Sequence, residues 1–67
     1  MKRKIAQKLM NIKRQVSAAD RQAACKELDI HYTTVHNYLS GKVGNIDMGI
    51  RLLNFMRDRI AHKEELV

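Results

Sequence analysis

Apolar residues recur at helical spacing along almost the whole chain, and this pattern constrains the fold more than any other feature. Ile5, Leu9, Ile12 and Val16 are separated by four, three and four positions, which defines one apolar stripe on a helix. No proline interrupts the pattern. A chain of 67 residues is long enough for one domain. We therefore predict an all-α fold in which residues 1–67 form a single domain.

Four helices are predicted from this periodicity and from residues that favour helix ends. Helix 1 covers residues 2–15, helix 2 residues 21–28, helix 3 runs from residue 31 or 32 to residue 40, and helix 4 covers residues 46–63. Asp20 is predicted to cap helix 2, and Ser17 is a competing cap that would start this helix three residues earlier. Gly41 can adopt the left-handed conformation that ends helix 3. Asn45 is a suitable N-cap for the long C-terminal helix 4.

Each predicted helix has an apolar side suited to a shared core. The inward residues are Ala24, Cys25 and Leu28 of helix 2 and Val35, Tyr38 and Leu39 of helix 3. Helix 4 has more apolar positions than one stripe needs, which is typical of a helix with two neighbours. Its residues Met48, Leu52, Phe55 and Met56 are either core residues or the interface of a homodimer. Gly49 would allow a packed element to approach this helix closely.

The net charge of +6 is concentrated at the start of the chain. Residues 1–16 carry six cations and no acid, whereas positive and negative charges balance over residues 17–67. Cations near a helix N-terminus oppose the helix dipole, which costs a few tenths to about 1 kcal/mol. The basic run is therefore either a solvated helix face or a surface for a polyanionic partner.

Several function classes are disfavoured by the residue types present. A single cysteine cannot form an internal disulfide, which suits a reducing compartment, so we expect a cytoplasmic location. No run approaches the ~18 apolar residues of a membrane span, so no membrane partner is expected. His31 and His36 are five positions apart, and one cysteine with three histidines matches no zinc pattern. We also expect no enzyme activity, no cofactor and no small-molecule substrate, because no nucleophile, histidine and acid form a catalytic arrangement.

The stretch RQAACKELDIHYTTVHNYLSGK, residues 21–42, has the pattern of two short helices joined by a three-residue turn. Cys25 is the small residue where the helices cross, Asp29 is the turn residue and Val35 is the branched anchor. This stretch resembles the helix-turn-helix of the phage-repressor family, the lambda-repressor/Cro-like regulators. Its part HYTTVHNYLSGK is also similar to the DNA-reading segment of lac-type repressors. The resemblance implies a small four-helix repressor-like domain that binds double-stranded DNA as a homodimer.

The chain departs from the family pattern at three positions. Asp29 stands where glycine is frequent, His31 where serine is frequent, and Cys25 where alanine is frequent. Asp adopts the left-handed conformation at modest cost, so the turn is expected to survive. No separate fifth helix is predicted, so the dimerisation mode of longer relatives is not carried over.

The resemblance implies a role for the outward side chains of helix 3, whose N-terminal half enters the major groove in this family. The implied base-reading residues are Tyr32, Thr33, His36 and Asn37. Asn pairs with the N6 and N7 atoms of adenine, and Thr hydrogen-bonds base edges or contacts the thymine methyl group. Two alternatives stay open: the ring of Tyr32 packs over the turn, or His36 is an ordinary surface histidine.

A second set of residues is predicted to contact the DNA backbone, which sets register and salt dependence without reading sequence. The set is Lys2, Arg3, Lys4, Arg21, His31, Thr34 and Lys42. Arg21 resembles the family position that clamps a phosphate, and His31 and Thr34 are alternatively helix caps. Lys2, Arg3 and Lys4 are expected to form a flexible arm along the DNA.

Two functions from different classes follow from this sequence. The first is a phage or bacterial transcriptional regulator of the repressor type. The alternative is an interaction or assembly module on the same fold, whose basic helix 1 docks on an acidic protein partner. The absence of Asp and Glu between His31 and Lys42 favours the first function, because an acid there would repel phosphate.

Overall fold

The computed structural model describes residues 1–66, with side chains described through residue 63. Within this range the protein is all-helical, as predicted. The helices are α1 (Lys2–Ile12), α2 (Ala18–Leu28), α3 (Tyr32–Leu39) and α4 (Ile46–Leu66), and a 3₁₀ turn over Lys13–Gln15 continues α1. The long helix α4 packs against both α1 and α2, and α3 packs against α1 and α2. The prediction of four helices, with the last one longest, is therefore confirmed.

One core lies between the four helices. Its most buried apolar side chains have no exposed surface: Leu9 of α1, Ala24 of α2, Val35 and Leu39 of α3, and Leu52 and Met56 of α4. Ile12, Cys25 and Leu28 are half-buried and pack against this core. The apolar stripes predicted for the first three helices therefore face inward. Burial of these side chains is the main stabilising term for such a small domain.

The start of α2 agrees with the competing cap at Ser17 and not with the prediction that placed the cap at Asp20 and the first helical residue at Arg21. The helix begins at Ala18 and Ser17 is its N-cap. The Ser17 hydroxyl accepts the Asp20 N–H (3.2 Å), and the Asp20 carboxylate accepts the Ser17 N–H (2.9 Å). This reciprocal capping box satisfies two backbone donors, whereas Asp20 acting alone would satisfy fewer. Asp20 thus belongs to the first turn of the helix.

Helix α4 differs from the prediction in its length. It extends through Leu66, three residues beyond the predicted end at Lys63. Asn45 caps its start as predicted, since its Oδ1 accepts the Met48 N–H at 3.0 Å. Gly49 is buried, and a Cβ atom at this position would lie 3.0 Å from side-chain carbons of Ile5 and Val43. The close approach predicted at Gly49 is therefore the one between α1 and the start of α4.

Candidate nucleic-acid interface

The turn between α2 and α3 depends on one residue in a left-handed conformation. Asp29 has φ 54° and ψ 51°, and it is the only non-glycine residue with positive φ within the described range. The backbone N–H groups of Asp29 and Ile30 both donate hydrogen bonds to the Cys25 carbonyl oxygen. His31 then returns to extended backbone and precedes α3 without a side-chain capping bond. The tight three-residue turn predicted from sequence is therefore formed with Asp in place of glycine.

The inner face of α3 fixes the helix against the rest of the protein. Val35 and Leu39 are fully buried, and Tyr38 is 8% exposed. The Tyr38 hydroxyl accepts the backbone N–H of Asn45 at 2.9 Å, which ties α3 to the start of α4. Apolar burial and one specific hydrogen bond together hold α3 in a single orientation.

The outer face of α3 carries the four side chains that the resemblance implies are base-reading residues. Thr33 and His36 are exposed, Tyr32 is 44% exposed, and Asn37 is half-buried. None of these four side chains has a hydrogen-bond partner among the described residues. Because 44% exposure leaves more than half of Tyr32 covered, both interpretations of its ring, base contact and packing over the turn, stay open. The four groups form a polar surface without a carboxylate, and three of the four side chains are exposed.

Cations lie at the C-terminal end of α3. Ser40 ends the helix, and Gly41 follows with φ 96°, as the predicted left-handed cap requires. The exposed Lys42 comes next, and its backbone N–H donates to the Asn37 carbonyl at 2.9 Å. Lys13 reaches this end from the 3₁₀ turn that follows α1, with its Nζ atom 3.5 Å from the Ser40 hydroxyl. Lys13 was not among the predicted contacts, because only the packing of α1 on α3 brings it here.

Arg21 and Thr34, two predicted backbone contacts, lie off the outer face of α3. Arg21 is half-buried in the first turns of α2, and its Nε atom is buried without a hydrogen-bond partner among the described residues. Thr34 lines a groove between α3 and the start of α4, together with Asp47 and Arg51. Thr34 therefore does not share a surface with Thr33.

The flexible arm predicted from Lys2, Arg3 and Lys4 is wrong in its conformation. All three residues belong to the first turn of α1, and the Ile5 N–H donates to the Met1 carbonyl at 3.2 Å. Burial of Ile5 and its neighbour in the core anchors this turn. All three side chains are exposed, and Lys4 also lines a groove between α1 and α4.

An ion-pair cluster joins α2 to the far end of α4. The Asp20 carboxylate, 1% exposed, accepts hydrogen bonds from Arg59 Nε at 2.7 Å and from the Lys63 ammonium group. The Arg59 guanidinium also lies 5.7 Å from the centre of the Phe55 ring. Burial alone would raise the pKa of Asp20, but hydrogen bonds from Lys63, the Ser17 N–H and Arg59 lower it well below its ordinary value. Asp20 therefore stays ionised and links the helix-turn-helix to α4.

The predicted dimer interface needs correction at two of its four residues. Leu52 and Met56 have no exposed surface, because both pack into the core of this chain. They offer no contact area to a second copy. Met48 and Phe55 are half-buried and stay candidates for such a contact.

Comparison with known proteins gives no matching family model, no matching curated protein and no matching solved structure. Within the described residues, no helix is both long and apolar enough to cross a membrane. Over the same range, no three His, Cys, Asp or Glu side chains are grouped closely enough to hold a metal ion. The surface of α3 and its flanking cations are therefore interpreted from their own chemistry.

Proposed function

We propose that this protein is a sequence-specific DNA-binding transcriptional regulator of the repressor type, from a phage or a bacterium. One observation carries the proposal: a short helix held between the left-handed Asp29 and Gly41 carries four hydrogen-bonding side chains on its outer face, three of them exposed. No acid lies between His31 and Lys42 to repel the phosphates on either side of a groove. An isolated surface helix that needed only solubility would favour Lys and Glu, which are better helix formers than Thr or Tyr.

In this proposal α3 enters the major groove and its outer face contacts base edges. Asn37 would pair with adenine through its amide, and Thr33 would contact a base edge or a thymine methyl group. Tyr32 and His36 lie on the same face and would contact neighbouring bases. Each good bidentate contact discriminates against the wrong base by about 1–3 kcal/mol.

Cations at the two ends of the helix-turn-helix would hold the phosphates. Lys42 follows the C-terminus of α3, the Nζ atom of Lys13 lies 3.5 Å from the Ser40 hydroxyl at the same end, and Arg21 lies in α2. The exposed His31 and the exposed cations Lys2 and Arg3 stay predicted backbone contacts. Such contacts fix the register of a protein on DNA and make its affinity depend on salt.

The proposal includes a homodimer on a two-fold site. Two copies of α3 would then occupy successive major grooves on one side of the duplex, about 34 Å apart. Met48 and Phe55 are the sequence-predicted interface residues that keep exposed surface. A palindromic binding site is the expected signature of this arrangement.

The test is a salt series with random duplex DNA, followed by selection of preferred sites from a random pool. We expect a steep linear fall of log affinity with log salt, and recovery of a palindrome. Absence of binding to any duplex at low salt would overturn the proposal.

A pair of double variants separates base reading from general affinity. Thr33→Ala with Asn37→Ala is expected to lose site preference while keeping affinity for random DNA, because only base contacts are removed. The matched control is Gln7→Ala with Asn11→Ala, an exposed amide pair on α1 whose side chains hydrogen-bond each other at 3.1 Å. This control should keep the selected site, and equal losses in both double variants would contradict the assignment of α3.

A single variant tests the phosphate contact beyond α3. Lys42→Ala is expected to weaken binding to all sequences alike and to lower the salt slope by about one, the value for one lost phosphate contact. A change in the preferred sequence instead would mean that Lys42 reads a base.

A further inference from the structure

A second surface of the protein is a groove between α1 and α4. The groove encloses about 280 Å³. Its floor is apolar and consists of Ile5, Ile50 and Leu53. Its rim carries Lys4 and Lys8 from α1 and Arg57 from α4, all three exposed.

Ile50 distinguishes this groove from an ordinary seam between two packed helices. Ile5 and Leu53 are 6% and 5% exposed, whereas Ile50 is 38% exposed. Ile50 lies at helical spacing from Ile46 and Leu53 in the sequence, but the core closes without it. A single exposed isoleucine is common on protein surfaces. Here it lies in a concave site, among cations from two helices.

The charges of the groove all have the same sign. No acid is among the side chains that line it, and its three cations come from helices that are distant in sequence. Lys4, Lys8 and Arg57 have no ion-pair partner among the described residues. Bringing these cations to one rim costs repulsion, which an anionic occupant would relieve.

We propose that this groove binds an acidic amphipathic helix of a partner protein. Apolar side chains of the partner would cover Ile50 and Leu53, and its carboxylates would pair with Lys4, Lys8 and Arg57. This is the helix-in-groove mode of peptide recognition, in which apolar anchors give affinity and charges at the rim give selectivity.

Two other occupants fit the groove less well. Nucleic acid would use the cations but would leave Ile50 without a contact. A second copy of the chain, related by a two-fold axis through the groove, would oppose the cations of one copy to those of the other. The proposed partner satisfies both the floor and the rim.

The inference does not depend on the DNA-binding proposal, because neither Ile50 nor Arg57 is among the proposed DNA contacts. Lys4 is among the predicted backbone contacts, so the test leaves it unchanged.

The probe is a fluorescein-labelled helical peptide of about 16 residues, with Leu at positions i, i+3, i+4 and i+7 and Glu at most other positions. Its binding to the full chain is measured by anisotropy at several salt concentrations. A scrambled peptide of the same composition keeps the charge and removes the apolar stripe. Its binding should be weaker by about tenfold.

Two groove variants and one matched control locate the site. Ile50→Gln replaces the exposed apolar anchor by a polar residue that is a good helix former. Arg57→Glu reverses one charge at the rim. Each is expected to weaken peptide binding by about tenfold. Arg51→Glu makes the same charge change on the same helix, at an exposed residue outside this groove, and should alter binding by less than about twofold. Circular dichroism checks that each variant is folded. If Ile50→Gln unfolds the protein, Arg57→Glu still tests the groove, because Arg57 is exposed and its substitution leaves the core intact.

Four results obtained without DNA would each overturn the proposal. The first is that the scrambled peptide binds as tightly as the designed one, and the second is that Arg51→Glu and Arg57→Glu weaken peptide binding equally. The third is that no peptide binds at low salt. The fourth is that the chain self-associates and Arg57→Glu abolishes this self-association. A competition experiment uses a random duplex of roughly 20 base pairs, about two helical turns. The proposal would also be overturned if this duplex displaced the peptide and Arg57→Glu weakened duplex binding more than Arg51→Glu did. Loss of DNA binding with peptide binding intact would leave this proposal standing and remove the one on α3.

Discussion

The α2–α3 pair and the α1–α4 pair are built in different ways. The first pair is local: a capping box at Ser17, a left-handed Asp29 and a left-handed Gly41 set where each short helix begins and ends. The second pair joins helices from opposite ends of the chain, and apolar burial around Leu9 and Leu52 holds it together. Backbone devices therefore fix the geometry of the proposed reading helix, whereas the long helices supply much of the stability.

Two specific contacts transmit that stability to the helix-turn-helix. The Tyr38 hydroxyl holds the N–H of Asn45 ahead of α4, and Asp20 holds Arg59 near its other end. These contacts secure α3 and α2 separately against the same long helix. The orientation of the proposed reading surface thus depends on α4, although α4 supplies none of the four outward side chains.

The largest expected effect comes from removing a core side chain of the α1–α4 pair. Leu52→Ala should lower the free energy of unfolding by about 2–5 kcal/mol, because it leaves a cavity at a fully buried position. A chain of this length has roughly 3–10 kcal/mol in total, so the variant should be partly unfolded at 37 °C. Urea denaturation followed by circular dichroism measures the change.

Thr33→Ala on the outer face of α3 is the control for this comparison. It should change the free energy of unfolding by no more than about 0.5 kcal/mol, since Thr33 is exposed. A loss above 2 kcal/mol for Thr33→Ala would show that its side chain supports the fold, which contradicts the division between the two faces.

An intermediate effect is expected at the contact that joins the two pairs. Asp20→Ala removes the carboxylate that accepts the Ser17 N–H and pairs with Arg59 and Lys63. The loss should be about 2 kcal/mol, from the cap and the buried hydrogen bonds together. Asp58→Ala removes an exposed acid from α4 and should cost less than about 0.5 kcal/mol. Equal melting temperatures for the two variants would mean that the Asp20 cluster adds nothing.

The same cluster predicts a pH dependence. The pKa of Asp20 is lowered by folding, so the unfolded chain binds a proton more readily than the native protein does. The stabilisation is complete above the ordinary pKa of 3.8 and is lost as the pH falls below that value. Asp20→Asn removes this titration, so its stability should change less between pH 5 and pH 2 than that of the unaltered chain. A parallel decline in both proteins would assign the acid sensitivity to other carboxylates.

The sequence predicts the local pair better than the contacts between distant helices. Asp29 and Gly41 are identifiable because few residues tolerate positive φ and each lies between two periodic segments. The pairing of Asp20 with Arg59 and Lys63 spans 39 and 43 positions, and its charges are indistinguishable in sequence from solvated ones. The exposure of Ile50 is likewise not predictable from sequence, because periodicity identifies an apolar stripe on one helix but not the rotation of two packed helices against each other.

The smallest expected effect lies in the turn, where two substitutions at Asp29 should differ in their effect on stability. Asp29→Ala should destabilise the protein by about 1 kcal/mol, because a Cβ atom without a local polar group disfavours positive φ. Asp29→Gly should leave the free energy of unfolding unchanged or raise it by up to about 0.5 kcal/mol. Glycine adopts positive φ without strain, and the greater entropy of glycine in the unfolded chain offsets most of this gain. Chemical denaturation of both variants measures the difference. Identical stabilities would mean that the left-handed backbone at Asp29 is not what sets the turn. If the expected order is found, the angle between α2 and α3 is a property of the turn backbone, and Asp29→Gly should also keep the DNA site preference that Thr33→Ala with Asn37→Ala loses.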